Sequence, residues 1–399
     1  MKIGIGIFTA PEAGGAYQYT RSIIQAAAEI KKSGGQFDFV CYSLYELWEP
    51  ICVKMGVPFK RLSENKVQKA LYHCGYLLGQ IGGVNSKSYN SGFYKFHPLW
   101  KAYDEDNLSA MIITSPSWYG KPEGKKLIMP IFDIMHRYLD FPEIGGGKIG
   151  QERDIRYASI CKGADALLTD SKLGVMQLIE CYGNLYDGLI RKAYALPFIV
   201  PDYISEMRTG EKDNAKILTK VPEKYILYPA QFWKHKNHVR LITAAGELKE
   251  QGINVNLVLT GSGKNAGEEI AATIDKYGMQ EQVTNLGYIS DEELTELYKH
   301  ARAMMFPAFT GPTSIPPLEA MALGCPVAVA NNFAMPEQLN GAGLDFDPTS
   351  VSDIKDAMRR LWLDDRLCEA IIEREKKRSR EWTVKEFAEE LRKIIVETI

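Results

Sequence analysis

The residue types best suited to chemistry are concentrated in the segment FPAFTGPTSIPPLEAMALGCPVAVANN, residues 306–332. A strand is predicted to end at Phe306, and a loop rich in glycine and proline leads to a helix that begins near Pro316 and Pro317. The N–H groups and positive dipole end of such a helix favour phosphate. Glu319, in the predicted first turn, could accept hydrogen bonds from a vicinal diol such as ribose. An isolated glutamate there could also serve only to favour the helix dipole.

A second block, YPAQFWKHKNHVRLITA at residues 228–244, places a lysine just before a predicted helix. Lys236 followed by Asn237, a predicted N-cap residue, is an arrangement that can neutralise a diphosphate. The alternative is a solvated loop lysine. His235 and His238 lie three residues apart, but no cysteine or carboxylate nearby completes a ligand set, so no metal site is predicted.

The first half of the chain offers fewer candidates. Gly14 and Gly15 separate a predicted first strand from a first helix, where glycine lets the backbone approach a phosphate or sugar closely. His136 lies in FDIMHRYLDFPE at a predicted strand end, although an isolated histidine is more often structural. The acidic triplet at residues 104–106 precedes a strand instead of following one, which favours a solvated turn over a metal–diphosphate site.

Together these blocks resemble the retaining GT-B glycosyltransferases of the large family 4. The usual signature of that family is F-P-S-x-x-E-G-F-G-L-P-x-L-E-A-M-A-x-G-x-P-V, and the match runs through Ile315–Ala322 and Gly324–Val327. The resemblance extends over essentially the whole chain. It implies an α/β protein of GT-B fold, in which two Rossmann-like doubly wound parallel-sheet domains face a cleft and a C-terminal helix crosses back to the first domain.

The resemblance also implies roles for individual residues. Glu319 matches the second glutamate of the family's E-x7-E pair, which holds the nucleotide ribose. The first glutamate is replaced by Gly311, so Thr310, Thr313 or the backbone amides of residues 313–315 would have to contact the sugar. Gln231 stands where the family usually has an arginine, five residues before the lysine.

His136 would bind the transferred sugar, while Gly261, Tyr288 and Ile289 would line the nucleotide pocket. The implied catalytic residues are His136, Lys236 and Glu319. The implied donor-binding residues are Gly14, Gly15, Gln231, Gly261, Tyr288, Ile289, Gly311, Thr313, Ser314, Ile315, Pro316 and Glu319.

The elements that must position these residues alternate between strand and helix along the chain. Short apolar runs such as those at residues 2–8, 37–42, 110–114, 127–132, 166–169 and 193–200 suit a parallel sheet covered on both faces. A charged stretch between Pro201 and Pro222 interrupts the alternation, which restarts at Tyr225. The predicted domains are therefore residues 1–205 and 206–380, with residues 381–399 as a terminal helix that packs back on the first domain.

Composition excludes several classes of protein. In 399 residues, 45% are hydrophobic and 25% are charged, and the net charge is −2, so there is no electrostatic basis for nucleic-acid binding. No uninterrupted apolar run is long enough to span a bilayer. The seven cysteines form no C-x-x-C pair and suit free thiols in a reducing cytosol.

The expected activity is metal-independent, retaining transfer of a sugar from a UDP- or GDP-sugar to a glycan or lipid-linked acceptor, with no cofactor, in bacterial surface polysaccharide synthesis. Two alternatives stay open: another GT-B enzyme, such as an epimerase or phosphorylase, and a catalytically silent nucleotide-sugar-binding subunit. The oligomeric state is not predicted.

A cytoplasmic location is expected, with peripheral contact to an anionic membrane as a further hypothesis. A basic patch supports that contact. The patch consists of Lys54, Lys60, Arg61, Lys66 and Lys69, and the apolar stretch Ala70–Ile81 follows it.

Overall fold

The computed structural model describes residues 1–10, 14–34, 36–68, 70–71, 97–117, 120–185, 188–189, 192–204, 215–311 and 313–399. The chain divides into two compact units. The first consists of Met1–Phe198 together with Val384–Ile399, and the second consists of Ile199–Thr383.

The first unit is built on a seven-stranded parallel sheet of order β3-β2-β1-β4-β5-β6-β7. The strands β1, β2, β4, β5 and β6 are buried along almost their whole length, as expected for a parallel sheet covered on both faces. The strands are β1 Lys2–Ile7, β2 Asp38–Ser43, β3 Phe59–Arg61, β4 Ala110–Ile113, β5 Leu127–Pro130, β6 Ala166–Thr169 and β7 Ala193–Ala195.

Among the described residues of this unit, five helices connect the strands. The longest buries a stripe of isoleucine and alanine that includes Ile23, Ala27 and Ile30, the spacing of a single helix face. Its C-terminus carries Lys31 and Lys32, which complement the helix dipole. The helices are α1 Gly15–Lys32, α2 Glu49–Lys54, α3 Pro98–Glu105, α4 Gly147–Gly163 and α5 Lys172–Tyr182.

The second unit contains a six-stranded sheet of order β10-β9-β8-β11-β12-β13, in which all the pairs are parallel. The four central strands are completely buried. The strands are β8 Ile226–Pro229, β9 Leu257–Thr260, β10 Val283–Asn285, β11 Ala303–Phe306, β12 Val327–Ala330 and β13 Leu344–Phe346.

Seven helices of the second unit are described. Ser290 begins α8 with a capping box, because its hydroxyl accepts from the Glu293 amide while the Glu293 carboxylate accepts from the Ser290 amide. The helices are α6 His238–Glu250, α7 Gly267–Lys276, α8 Asp291–His300, α9 Ile315–Leu323, α10 Met335–Leu339, α11 Val351–Leu363 and α12 Asp365–Glu381.

The last helix, α13 Val384–Thr398, returns to the first unit and packs along α1. It buries one apolar face that contains Phe387, Leu391, Ile394 and Ile395. The prediction of two Rossmann-like parallel-sheet units is confirmed. Six cysteines in the described part of the chain are free thiols, whereas Cys74 lies outside the described residues.

Candidate functional site

The strand order of the second sheet reverses between β8 and β11. From β8 the chain proceeds outward through β9 and β10, and from β11 it proceeds through β12 and β13 in the other direction. Ile226 and Ala303 are paired across the reversal. In open α/β sheets, ligands bind outside the carboxyl ends of the strands at such a switch point. The two blocks singled out in the sequence are the segments that follow these two strands.

Lys236 ends a single 3-10 turn, Lys234–Lys236, that follows β8. The Tyr228 hydroxyl anchors this turn by donating to the carbonyl oxygen of Lys236 at 2.7 Å. The lysine ammonium lies 5.3 Å from the centroid of the Phe306 ring, at the last residue of β11. The structure therefore brings the predicted diphosphate-binding lysine to the start of the loop that leads to Glu319.

Asn237 occupies the predicted N-cap position of α6, but the hydrogen bonds of its side chain are made elsewhere. Its backbone is left-handed, with φ 61°, and its side chain makes no capping hydrogen bond. The amide Nδ2 instead donates to the carbonyl oxygens of Pro307 at 3.0 Å and Pro348 at 2.8 Å. Asn237 thus ties together the loops that follow β8, β11 and β13.

Glu319 lies in the second turn of α9, because the helix begins at Ile315 and not near Pro317 as predicted. Its carboxylate accepts two hydroxyl groups: Tyr203 donates to Oε1 at 2.5 Å and Tyr298 donates to Oε2 at 2.9 Å. Glu319 is only 5% exposed, and burial raises the pKa of its carboxyl to about 7, although the two tyrosine hydrogen bonds act to lower it. Neither tyrosine was predicted from the sequence.

The conformation of the loop before α9 disfavours a glutamate at the position of Gly311. Gly311 has φ 99°, a conformation that residues with a side chain rarely adopt, and an added Cβ would lie 2.9 Å from Ser314 Oγ. A glutamate at this position would therefore be strained. Thr310 and Thr313, named as substitutes, are both buried.

The amides expected to bind an anion at the start of α9 are fewer than predicted. Gln338 clamps the backbone of Ser314, accepting from its N–H at 2.8 Å and donating to its carbonyl oxygen at 2.5 Å. Pro316 and Pro317 have no N–H to offer. Among residues 314–317, Ile315 therefore carries the one N–H that could donate to an anion, because Ser314 donates to Gln338 and the two prolines have no N–H.

The other predicted donor-binding residues of the second unit surround the ends of β8, β9 and β10. Gln231 is exposed, and its Oε1 accepts from Trp233 Nε1 at 2.9 Å. Gly261 has φ 131°, and a Cβ there would approach the Ala230 carbonyl oxygen to 2.5 Å, so glycine permits the loops after β8 and β9 to meet. Tyr288 is 85% exposed, and Ile289 packs against the core.

His136 lies in the first unit on the 3-10 turn Met135–Arg137, after β5. Its side chain is 1% exposed. Nε2 is 3.2 Å from the Tyr182 hydroxyl and 3.4 Å from Asp154 Oδ1, and the ring meets the edge of Tyr157. Within the described residues, His136 Nδ1 is buried without a hydrogen-bond partner. Contact with a sugar stays a prediction, and because Nδ1 is itself buried, that contact would require a local movement.

Asp154, the residue beside His136, is the centre of a polar cluster that sequence reasoning missed. Its carboxylate accepts two hydrogen bonds from Arg137, at 2.6 and 2.7 Å, and one from Tyr182 at 2.8 Å. Burial acts to raise the pKa of the Asp154 carboxyl, but hydrogen bonds with His136, Tyr182 and Arg137 lower it to about 2. The cluster fixes the orientation of the histidine ring.

Gly14 and Gly15 lie where α1 begins after β1. The sheet order of the first unit also reverses here, between β1 and β4. The start of α1 has no acidic residue in its first turn and no side-chain cap. Residues 11–13, which precede it, lie outside the described residues.

The remaining metal candidates have other roles. His238 is buried between the rings of Tyr228 and Phe232, and burial lowers its pKa to about 3. Asp106 of the acidic triplet accepts from Lys60 and Tyr42. In the part of the chain that the structure describes, no group of three or more histidine, cysteine and acidic side chains could hold a metal ion.

Comparison with known proteins found a match to one family model and several similar proteins. Residues 210–378 match the family model described as "Glycosyl transferases group 1". The serotype-specific mannosyltransferase WbdA of Escherichia coli is 27% identical over 51% of this chain and 25% of its own length. The O-antigen chain mannosyltransferase B of Escherichia coli is 32% identical over 33% of this chain and 34% of its own length. The aligned part of the chain therefore spans only a quarter to a third of these relatives.

Among solved structures, HepE of Anabaena in complex with UDP has a TM-score of 0.69 at 14% identity, with all of both chains covered. Two Rossmann-like units with a switch point in each define the class of fold as GT-B. The fold of the chain is therefore GT-B, and most of its second unit matches the family model Glycosyl transferases group 1.

Proposed function

We propose that this chain is a retaining glycosyltransferase that moves a hexose from a UDP- or GDP-sugar to a glycan or lipid-linked acceptor. Mannose is the favoured sugar, because similar proteins are named as mannosyltransferases. One of them is named for the O-antigen chain, which favours a bacterial surface polysaccharide as the product. One observation carries the proposal: a cation and a carboxylate follow the two strands at the switch point of a single sheet.

The proposed chemistry is mainly electrostatic. The bond between the sugar C1 and the diphosphate oxygen breaks while C1 bonds to the acceptor hydroxyl, and the hydroxyl proton passes to the leaving phosphate. Lys236 would stabilise the charge that develops on that phosphate, and Glu319 would hold the ribose. No protein nucleophile and no metal ion are required in this scheme. His136 would orient the transferred sugar near C1.

A catalytically silent nucleotide-sugar-binding subunit is the second candidate. Two features favour it. Gly311 stands where the family has its first glutamate and has a backbone conformation in which a glutamate would be strained. Gln231 stands where the family usually has an arginine, and its side chain accepts a hydrogen bond from Trp233. Such a subunit would bind the donor and would neither hydrolyse nor transfer its sugar.

Nucleotide binding is tested first. A thermal-shift screen of the purified protein against UDP, GDP and ADP should raise the melting temperature with one base, because a ligand that binds only the folded state stabilises it. Glu319→Gln keeps an acceptor oxygen and should weaken binding of that nucleotide less than Glu319→Ala. Equal affinities for both variants and the wild type would remove Glu319 from the site.

Transfer is tested with the radiolabelled sugar donor of the same base, with and without EDTA. Release of free sugar or transfer that EDTA leaves unchanged supports a metal-independent enzyme. NMR of the first-formed product reports the anomeric configuration, and inversion would refute the retaining mechanism. Binding without any turnover, tested with a panel of acceptors, would favour the silent subunit.

We also propose that the protein acts at the inner face of the cell membrane. None of the described helices has the length and apolarity that crossing a bilayer requires. In the basic patch, Lys60 is paired with Asp106 at 2.5 Å and Arg61 with Glu46 at 2.5 Å, which reduces the charge available to anionic lipid. Lys69 and residues 72–81 lie outside the described residues.

A further inference from the structure

Both carboxylate oxygens of Glu319 already accept a hydroxyl group. Tyr203 and Tyr298 donate to different oxygens, at 2.5 Å and 2.9 Å, and all three residues are buried. A ribose diol would donate the same kind of hydrogen bond to the same carboxylate. Because Glu319 is only 5% exposed, a diol cannot reach it unless one of the tyrosine hydroxyls moves away.

The two tyrosines differ in how firmly they are held. Tyr298 belongs to the regular helix α8, is 0% exposed and is part of the hydrophobic core. Displacing it would mean repacking that core. Tyr203 reaches Glu319 from 116 residues earlier in the chain and is 8% exposed. Its immediate backbone hydrogen bonds are local: the Tyr203 amide donates to Asp202 Oδ1 and the Ile204 amide to the Pro201 carbonyl oxygen.

We infer that the Tyr203 hydroxyl competes with the nucleotide ribose for Glu319, whereas Tyr298 is a positioning residue that holds the carboxylate in place. The inference rests on the proposed function, because it takes Glu319 as the ribose acceptor. Exchange of one hydroxyl for another leaves the number of hydrogen bonds almost unchanged, so the competition lowers nucleotide affinity without preventing binding.

Substitution by phenylalanine separates the two roles, since it removes only the hydroxyl. Tyr203→Phe should bind the ribonucleotide about three- to tenfold more tightly than the wild type. Tyr298→Phe should bind it about three- to tenfold more weakly, because Glu319 loses the hydrogen bond that orients it. The two variants form a matched pair, because each removes one tyrosine hydroxyl that donates to the Glu319 carboxylate. The expected changes in nucleotide affinity have opposite signs.

The experiment is calorimetric titration of the full chain with GDP and UDP and with their 2′,3′-dideoxy analogues, which lack the hydroxyls that Glu319 would bind. For each variant, the affinity for the nucleotide is divided by the affinity for its dideoxy analogue. This ratio does not depend on the fraction of protein that is folded, so it reports ribose recognition even in a destabilised variant. Tyr203→Phe should raise this ratio and Tyr298→Phe should lower it. Glu319→Ala, which removes both acceptor oxygens, should bring it close to that of a protein without ribose recognition.

The outcomes separate the inference from the proposed function. If Glu319→Ala lowers the ratio while Tyr203→Phe leaves it at the wild-type value, the competition is refuted and ribose binding by Glu319 stands. If Glu319→Ala leaves the ratio unchanged, Glu319 does not bind ribose, and both ideas fail. If neither GDP nor UDP binds the wild type but one of them binds Tyr203→Phe, the competition is supported in its strongest form. If neither variant nor wild type binds, both are refuted.

Discussion

Glu375 of α12 is a buried acid whose ionisation should control the stability of the second unit. Its side chain is 0% exposed, and Oε1 accepts a hydrogen bond from the Val327 amide at 2.8 Å, where β12 begins. Oε2 has no hydrogen-bond partner among the described residues. Burial raises the pKa of this carboxyl from its ordinary value of 4.5 to about 9, against the opposing effect of the Val327 hydrogen bond.

The sign and size of the effect follow from that pKa. Between pH 4.5 and pH 9 the folded protein keeps a proton on Glu375 that the unfolded chain has released, so the free energy of unfolding decreases as the pH rises. The decrease is about 1.4 kcal/mol per pH unit for one group. Glu375→Gln preserves an acceptor for Val327 and cannot ionise. From pH 6 to pH 8, the wild type should therefore lose up to about 3 kcal/mol relative to this variant.

The assay is urea unfolding of the full chain at pH 6 and pH 8, with amide exchange in a peptide covering residues 327–330 as the local measurement. Glu373→Gln is the matched control, because Glu373 is on the same helix and its side chain is 73% exposed. A difference in unfolding free energy between wild type and Glu375→Gln that is the same at both pH values would refute the reasoning.

Four further predictions concern the proposed sites. Lys236→Ala should weaken nucleoside diphosphate binding by about 1.5–3 kcal/mol by calorimetry, whereas Lys234→Ala, the control, removes a lysine paired with Glu269 and should have little effect. His136→Ala should leave that affinity nearly intact while reducing sugar transfer markedly; wild-type transfer rates would make His136 structural. Gly311→Ala should lower the stability by at least about 1 kcal/mol in urea unfolding, and an unchanged midpoint would contradict the strain assigned to φ 99°. The protein should co-sediment with anionic liposomes at low salt but not at high salt, and wild type that stays in the supernatant at low salt would exclude the basic patch as a membrane anchor. The comparison variant is neutralised at Lys60, Arg61, Lys66 and Lys69.

The alternation of strands and helices was predictable because buried parallel strands are short apolar runs with clear polar boundaries. The strand Ala166–Thr169 has the predicted limits. The edge strands Phe59–Arg61 and Leu344–Phe346 were not predicted. Each has only three residues, most of them partly or fully exposed, which is too short for a hydrophobic pattern. The strand predicted at residues 193–200 ends at Ala195, before the prolines that follow.

The candidate site was predictable only where function is encoded in local sequence. The lysine of the basic loop and the glutamate of α9 were found because each belongs to a contiguous motif. Tyr203 was not found, because it contacts Glu319 across 116 residues and lies at the start of the charged stretch between Pro201 and Pro222. Gln338 likewise reaches Ser314 across 24 residues. Asn237 was predicted as an N-cap from its residue type and position. Its side-chain hydrogen bonds to Pro307 and Pro348 could not be predicted, because these residues lie 70 and 111 positions further along the chain.

The return of α13 to the first unit has a consequence for synthesis. Phe387, Leu391 and Ile395 cover a face of the unit that contains α1, yet the ribosome makes them after the whole of Ile199–Thr383. The first unit begins to be synthesised earlier but is completed later, so the usual order of domain folding during translation is reversed for its final step. Until α13 emerges, the nascent first unit exposes an apolar surface, and a chaperone or transient self-contact would act there.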